Sequence, residues 1–336
     1  MRSKVLKRIP LEKLMDLKID YAFKQLFGSE KNKEITVVFL NAILQKTGRD
    51  RIKDIVFSNT EAGGEYQEDK QSRLDLLVVT NSDEWINIEI QFSNPYNMIK
   101  RSIYYWAGVY RSPMKPKMGY RELHPVISIN ILNFSIFEQT NAFHTTYHLY
   151  EDEKKFMLTD VMEFHFVEMP KLLGDWKEDK LNPWDDILAR WLLLLGIVDR
   201  RGGKVYDDIF KELEEIAMKD DTLHTAFQSW ETLSSTQEEI LAYEARLKRV
   251  LDEEAAIREA ELREVEARQE GVKEGIKEGI KEGIKEGIKE GIKEGIKEGI
   301  QRTAKRMLQE GFDIETVVRL TGLSNEQVHK IRREVK

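Results

Sequence analysis

Cysteine is absent from the 336-residue chain. Its absence excludes a disulfide scaffold and any zinc site built on thiolates. Long hydrophobic runs are also missing, because the longest, residues 191–198, is shorter than the about 20 residues that a membrane helix needs. No apolar run follows the basic N-terminus, so no secretion signal is predicted. We therefore expect a soluble, cytoplasmic protein with no membrane partner.

An excess of positive charge is lacking too. The chain has 53 Lys and Arg against 60 Asp and Glu, a formal net charge of −7. A negative total does not exclude nucleic acid as a partner, because a local basic patch decides that question. The hydrophobic content of 41% allows a real core. The length accommodates one large domain or two modest ones.

Periodicity along the first part of the chain predicts an α/β fold. Predicted elements, in order, are two short helices between residues 20 and 44, strands over 52–58, 74–79 and 85–92, a helix over 95–110 and a buried strand over 125–132. Residues 61–72 are polar and are expected to form a loop. This order favours a mixed sheet with helices packed on it.

Composition divides the chain into four predicted regions. A catalytic core is expected over residues 1–135, and a mainly helical accessory region over 136–236 completes that domain. A charged helix and a repetitive spacer are expected over 237–302. A small helical tail is expected over 303–336.

Two carboxylates are expected to face each other across the predicted hairpin. With residues 81–83 as a three-residue loop, Thr80 faces Glu84 and Asp75 faces Glu89. Because side chains alternate between the faces of a strand, one face is predicted to be apolar: Leu74, Leu76, Val78, Ile86, Ile88 and Ile90. The other face is predicted to hold most of the polar residues of the two strands, and its members are Arg73, Asp75, Leu77, Val79, Trp85, Asn87, Glu89 and Gln91.

Facing carboxylates on a strand pair built for a core suggest a metal site. Directly opposite residues have Cβ atoms about 4.5–5.5 Å apart, so Asp75 and Glu89 repel each other when both are ionised. A divalent cation would remove that repulsion, and carboxylate, water and phosphate oxygens are the ligands that Mg²⁺ prefers. The alternative is an edge hairpin with one solvated face, on which these residues are ordinary surface groups.

Several segments together resemble the PD-(D/E)XK nucleases, and more narrowly the Rpn group of recombination-promoting nucleases, which are also described as transposases. The matching segments are residues 73–77 (Arg-Leu-Asp-Leu-Leu) and 87–91 (Asn-Ile-Glu-Ile-Gln), with 20–28, 39–41, 70–75 and 101–105. The resemblance covers about residues 15–240, and the tail is similar in general character. It implies a restriction-endonuclease-like core that cleaves DNA with a bound metal.

The resemblance also implies a role for individual residues. Asp75 and Glu89 would hold the metal, Mg²⁺ with Mn²⁺ or Ca²⁺ as alternatives, and Asp20 would approach it through water. Gln91 occupies the place of the motif's lysine.

Lys24, Lys70 and Arg73 would offer positive charge near the scissile phosphate. Two positions depart from the general motif. Leu74 replaces proline, which matters little because only the carboxylate is a ligand. Gln91 can orient a water but carries no positive charge. A third well-spaced acid, as in a transposase catalytic triad, is not found.

A basic and aromatic segment follows the predicted metal strand. Residues 97–121 contain no Asp or Glu but hold six Lys and Arg and five Tyr and Trp. Lys100, Arg101 and Tyr105 are predicted to contact DNA phosphates. The alternative is a helix that packs its aromatics on the sheet and solvates its cations. We expect both in part, with Ile103 and Trp106 pointing inward.

A four-residue repeat, Gly-Ile-Lys-Glu, dominates residues 271–300. Its period exceeds 3.6, so the isoleucines wind around a helix and form no fixed heptad seam. Each glycine costs about 0.8–1.0 kcal/mol relative to alanine. We interpret the segment as a helical spacer. By pairing in a coiled coil, it could support a homodimer or higher homo-oligomer.

The tail is predicted to contain three short helices. Gly311 and Gly322 are expected to end the first two, and Ser324 is expected to cap the third. The last two helices resemble a helix-turn-helix, which can contact DNA. The alternative is a small helical cap or dimer module.

The sequence thus predicts a Mg²⁺-dependent DNA endonuclease with a role in recombination or in defence against foreign DNA. Two alternatives stay open. One is a DNA-binding protein with a degenerate nuclease core. The other is an oligomeric interaction protein organised by the long helix.

Overall fold

The computed structural model describes residues 5–6, 9–45, 50–58, 61–62, 72–93 and 96–335, with only the backbone for 61–62, 72–73 and 335. The chain divides into two compact units, Met1–Ile257 and Arg258–Lys336. No helix among the described residues is both long and apolar enough to cross a membrane.

A six-stranded mixed sheet forms the centre of the first unit. Its strands are β1 (Ile55–Phe57), β4 (Leu76–Thr80), β5 (Trp85–Gln91), β6 (Val126–Leu132), β7 (His144–Tyr150) and β8 (Met157–Glu168). The spatial order is β1-β4-β5-β6-β8-β7, with β5, β6 and β8 parallel and the other pairs antiparallel. Short strand pairs β2–β3 (Glu61–Ala62, Ser72–Arg73) and β9–β10 (Val198–Asp199, Lys204–Val205) lie outside it. The α/β fold with a mixed sheet is confirmed.

Seven α-helices of the described residues surround this sheet, and an eighth continues into the second unit. They are α1 (Asp20–Phe27), α2 (Lys33–Leu44), α3 (Met98–Arg111), α4 (Met169–Lys177), α5 (Ile187–Gly196), α6 (Asp207–Ala217) and α7 (Asp221–Ser235), followed by the long α8 (Gln237–Gln309). The predicted helices between residues 20 and 44 are confirmed, with the break at Gly28. A side chain there would bring its Cβ within 2.7 Å of the Lys24 carbonyl oxygen, so glycine permits this turn.

The region predicted to be mainly helical contributes two strands to the main sheet. Residues 144–150 read His-Thr-Thr-Tyr-His-Leu-Tyr, and β-branched and aromatic residues favour strands. β8 pairs in parallel with β6 and antiparallel with β7. The α/β fold is therefore completed by residues well beyond 135.

Two hydrophobic layers cover the two faces of the sheet. The larger joins the isoleucines of β5 to helices α1, α2, α5 and α7, where Phe23, Phe27, Phe39 and Trp191 pack ring against ring. The smaller lies under α3 and contains Trp106 and Val109.

Leu74 belongs to this second layer, with Leu77, so its predicted place beside Leu76 and Val78 is wrong. The regular strand begins only at Leu76. Strict alternation of side chains therefore does not reach Leu74.

The second unit contains the repeat and the tail. All six repeat isoleucines that follow Val272 up to residue 296 are between 57% and 59% exposed. Helices α9 (Ile314–Thr321) and α10 (Asn325–Val335) form a small core with the end of α8 around Ala304, Val317 and Val328. Gly322 ends α9 in the left-handed conformation, at φ 70°, as predicted.

Candidate active site

Asp75 and Glu89 meet at the open end of the β4–β5 hairpin. Leu76 pairs with Ile88, and the Thr80 amide donates to the Glu84 carbonyl at 2.9 Å, so the predicted register is confirmed. One step further along this register Asp75 lies opposite Glu89. The Asp75 amide donates to Oε1 of Glu89 at 3.2 Å, and the Ile90 amide donates to Oδ2 of Asp75 at 3.0 Å.

Both carboxylates are buried, although neither lies in an apolar cluster. Asp75 is 7% exposed and Glu89 2%. Burial raises the pKa of Asp75, against the opposing charge of Lys24. Burial and the neighbouring charge of Asp75 raise the pKa of Glu89 well above its usual value. The reading of these residues as solvated surface groups is therefore wrong.

Helix α1 brings two charged side chains to this pair. Lys24 places Nζ 3.0 Å from Oδ1 of Asp75. Asp20, one helical turn earlier, is the first residue of α1, and its Oδ1 accepts a hydrogen bond from Nε of Arg246 at 2.7 Å. The structure thus brings Asp20 and Lys24 together with Asp75.

A cleft of about 130 Å³ opens beside these groups, enough for a metal ion and several waters. Asp20 and Asp75 line it, and Gln91 lies on its wall at the end of β5. Arg101 and Arg246 supply positive charge to the same space.

The donor set fits a hard divalent cation. Mg²⁺ is typically held by one or two carboxylates, with waters and substrate phosphate as the remaining ligands. Asp75 and Glu89 offer two such carboxylates, whose mutual repulsion a cation would relieve. Among the described residues no group of three or more acidic, His or Cys side chains is arranged to hold a metal. Water and substrate would therefore have to complete the coordination.

Helix α3 presents the predicted DNA-contacting residues in different ways. Lys100 is exposed, while Tyr105 is half-buried and its pKa is raised, first by burial and then by the charge of Glu89. Arg101 reaches the cleft, and its buried Nε has no hydrogen-bond partner within the described residues.

Ile103 is 47% exposed, so its predicted inward position is wrong. The buried positions of α3 are Met98, Ser102, Trp106 and Val109. The buried stripe thus passes through Ser102, which contacts Ser128 on β6 at 3.3 Å, and leaves Ile103 on the outer side.

Two predicted DNA-contacting residues cannot be placed. Lys70 lies outside the described residues, and Arg73 is described only by its backbone, which pairs with Glu61. Their roles stay predictions.

Arg246 and Glu253 are site residues that the sequence analysis missed. Both belong to α8, the helix assigned to a spacer, and both line the cleft. Arg246 lies 226 residues from its partner Asp20. Neither periodicity nor a local motif could have indicated that contact.

Comparison with known proteins identifies both parts of the chain. Residues 17–260 match the family described as PD-(D/E)XK nuclease family transposase. Residues 297–333 match the Rpn/YhgA-like nuclease family, C-terminal HTH domain. No curated protein and no solved structure matches the chain. The two family matches confirm the resemblance found in the sequence.

Proposed function

This chain belongs to the PD-(D/E)XK nuclease family transposases, and we propose that it is a metal-dependent endonuclease that hydrolyses DNA phosphodiester bonds. One observation carries the proposal: two buried carboxylates, Asp75 and Glu89, face each other with raised pKa values, and Asp75 lines a cleft that also holds cationic side chains. A fold accepts such electrostatic cost chiefly where a site needs it.

Asp75 and Glu89 would hold the metal, Mg²⁺ or alternatively Mn²⁺ or Ca²⁺. When bound, such an ion can activate a water and stabilise the charge on the attacked phosphate. In the hydrolysis the water oxygen forms a bond to phosphorus, the bond to the leaving deoxyribose oxygen breaks, and that oxygen takes up a proton. Gln91 would orient the attacking water, and Asp20 would accept a hydrogen bond from a second water at the same site.

Lys24 keeps its ammonium group against Asp75 and would limit the charge of the carboxylate pair until metal and substrate arrive. Lys100, Arg101 and Tyr105 on α3, with Lys70 and Arg73 ahead of β4, would contact phosphates of the bound strand. The match of the tail to a helix-turn-helix domain supports DNA as the partner.

A role in DNA recombination or in defence against foreign DNA follows from the family. Such a nuclease works where the DNA lies, so we place it in the cytoplasm. A homodimer or higher homo-oligomer, assembled through the repeat of α8 as a coiled coil, would allow cleavage of both strands.

One observation favours a second candidate, a DNA-binding protein with a degenerate core. Gln91 stands where the motif has its lysine, and glutamine carries no charge for the transition state. In that case the helix-turn-helix would carry the function, and Asp75→Ala would leave DNA affinity and phenotype intact. The third candidate, an interaction protein organised by α8, predicts that removal of the core is tolerated.

Plasmid cleavage by the purified full chain tests the proposal. Supercoiled DNA is incubated with EDTA, Mg²⁺, Mn²⁺ or Ca²⁺, beside the variants Asp75→Ala and Glu89→Ala. We expect metal-dependent nicking that both substitutions abolish. Absence of cleavage with every metal, with DNA binding retained, would favour the degenerate binder. Cleavage that survives both substitutions would mean that the active site lies elsewhere.

A further inference from the structure

The first turns of α8 form one wall of the candidate active site. Residues up to Ile257 belong to the first compact unit. Tyr243 and Val250 are buried in its main core. The Tyr243 hydroxyl accepts a hydrogen bond from the backbone amide of Asp16 at 2.9 Å. This part of α8 is therefore fixed against the nuclease fold, and its side chains have defined positions at the cleft.

Arg246 is the cation that α8 places there. Its Nε donates to Oδ1 of Asp20 at 2.7 Å, and its side chain is 32% exposed. Burial lowers the pKa of the guanidinium, but the hydrogen bond to Asp20 and the charges of Asp20, Glu253 and Asp75 outweigh it. Arg246 thus stays charged within the electrostatic field of the catalytic carboxylates.

The guanidinium uses only part of its hydrogen-bonding capacity. Its one hydrogen bond engages Nε, and the two terminal nitrogens make none with the residues that the structure describes. A guanidinium held at Nε has a fixed plane, and its remaining donors suit the paired oxygens of a phosphate.

The other cations of the site are less suited to that task. Lys24 is engaged with Asp75 at 3.0 Å. Arg101 points one terminal nitrogen at the Met98 sulfur, at 3.1 Å. Gln91, in the place of the motif's lysine, has no charge. Arg101 also has an Nε without a hydrogen-bond partner within the described residues, but that nitrogen is buried. Arg246 is therefore the cation of the cleft that keeps both terminal nitrogens of its guanidinium free of hydrogen bonds with the described residues.

We propose that Arg246 binds the scissile phosphate and stabilises the negative charge that develops there, taking over the electrostatic part of the missing lysine's role. This assignment rests on the nuclease function proposed above. It makes the start of α8 a component of the active site. Removal of the chain from residue 237 onward would consequently remove a catalytic residue as well as the spacer.

The test compares three full-length variants in single-turnover plasmid cleavage. Arg246→Ala should lower the rate constant by about 10²–10³-fold, the usual cost of removing one transition-state donor, while DNA affinity changes far less. Arg246→Lys keeps the charge and should retain part of the activity. Tyr21→Phe is the matched control, because it removes another α1–α8 contact, the hydrogen bond from Tyr21 to Glu239, without changing charge in the cleft.

Chemical rescue of the Arg246→Ala variant distinguishes a catalytic role of the guanidinium from a structural one. Millimolar guanidinium should restore cleavage by Arg246→Ala, whereas equal concentrations of sodium should not. Wild-type rates in Arg246→Ala would overturn the assignment while leaving the nuclease proposal intact. Equal losses of rate and melting temperature in Arg246→Ala and Tyr21→Phe, without rescue, would also overturn it, because they indicate a structural contact. A wild-type chain that cuts nothing would refute the nuclease proposal itself.

Discussion

Replacing Glu89 with glutamine should stabilise the metal-free protein while it abolishes cleavage. Glu89 is 2% exposed and faces the Asp75 carboxylate. Two unit charges about 5 Å apart, in an effective dielectric of about 20, repel each other by about 3 kcal/mol. Glutamine keeps the shape and an oxygen that can accept the Asp75 amide, but removes the charge. We expect a gain of about 1–3 kcal/mol in the free energy of unfolding, since partial protonation already relieves some of the repulsion.

The gain should depend on pH in a definite direction. The folded-state pKa of Glu89 is raised above its ordinary value of 4.5. The Glu89 carboxyl therefore loses its proton at a higher pH in the folded state than in the unfolded state. Below about pH 4 both states are protonated and the two proteins should be equally stable. As pH rises above 4.5, the wild type loses stability relative to Glu89→Gln.

Thermal unfolding in EDTA between pH 4 and 8 measures the effect. One kcal/mol corresponds to about 2–4 °C for a unit of this size, so Glu89→Gln should melt several degrees higher at pH 7. Mg²⁺ should stabilise the wild type more than the variant, because the variant offers the ion one carboxylate instead of two. Exposed Glu138→Gln is the control. A variant that melts at or below the wild type across this range would refute the account of Glu89 as a buried, repelled carboxylate.

Three further predictions concern other parts of the chain. Lys18→Met leaves the buried Asp16 carboxylate without its ammonium partner at 2.9 Å, and should cost about 3–5 kcal/mol in denaturant unfolding; a loss below 1 kcal/mol would contradict this. Lys100→Gln should weaken DNA binding and reduce the slope of log affinity against log salt by about one; an unchanged slope would exclude a phosphate contact. Val317→Asp places a charge in the small core of the tail and should abolish hydrogen-exchange protection of α9 and α10 while plasmid cleavage persists; loss of cleavage would show that the tail is needed for catalysis.

Rules that concern residues close together in the sequence predicted the structure correctly where the residues in contact are joined by short stretches of chain. A three-residue loop and the alternation of strand side chains placed Asp75 opposite Glu89, because the register of a hairpin follows from its turn. The tail helices followed from their glycine stops and the Ser324 cap.

The same rules failed where the backbone leaves regular strand or helix geometry, and where the residues in contact are far apart in the sequence. Leu74 lies before the first regular residue of β4, so its side chain departs from the alternating pattern. Ile103 looked like a core residue, yet the buried stripe of α3 runs through Ser102. The prediction of a mainly helical region over 136–236 left out β7 and β8, although residues 144–150 favour a strand, because the pairing of both strands depends on the strands already in place.

The sequence by itself determined the facing pair Asp75 and Glu89, the fold class and the helical tail, because each follows from contacts between near neighbours in the chain. Tertiary structure alone decided how deeply Asp75 and Glu89 are buried, and therefore that their pKa values are raised. It also decided that Arg246, 226 residues after Asp20, joins the same cleft. Such a contact depends on how the first turns of α8 pack against the finished core, and no local pattern encodes that packing.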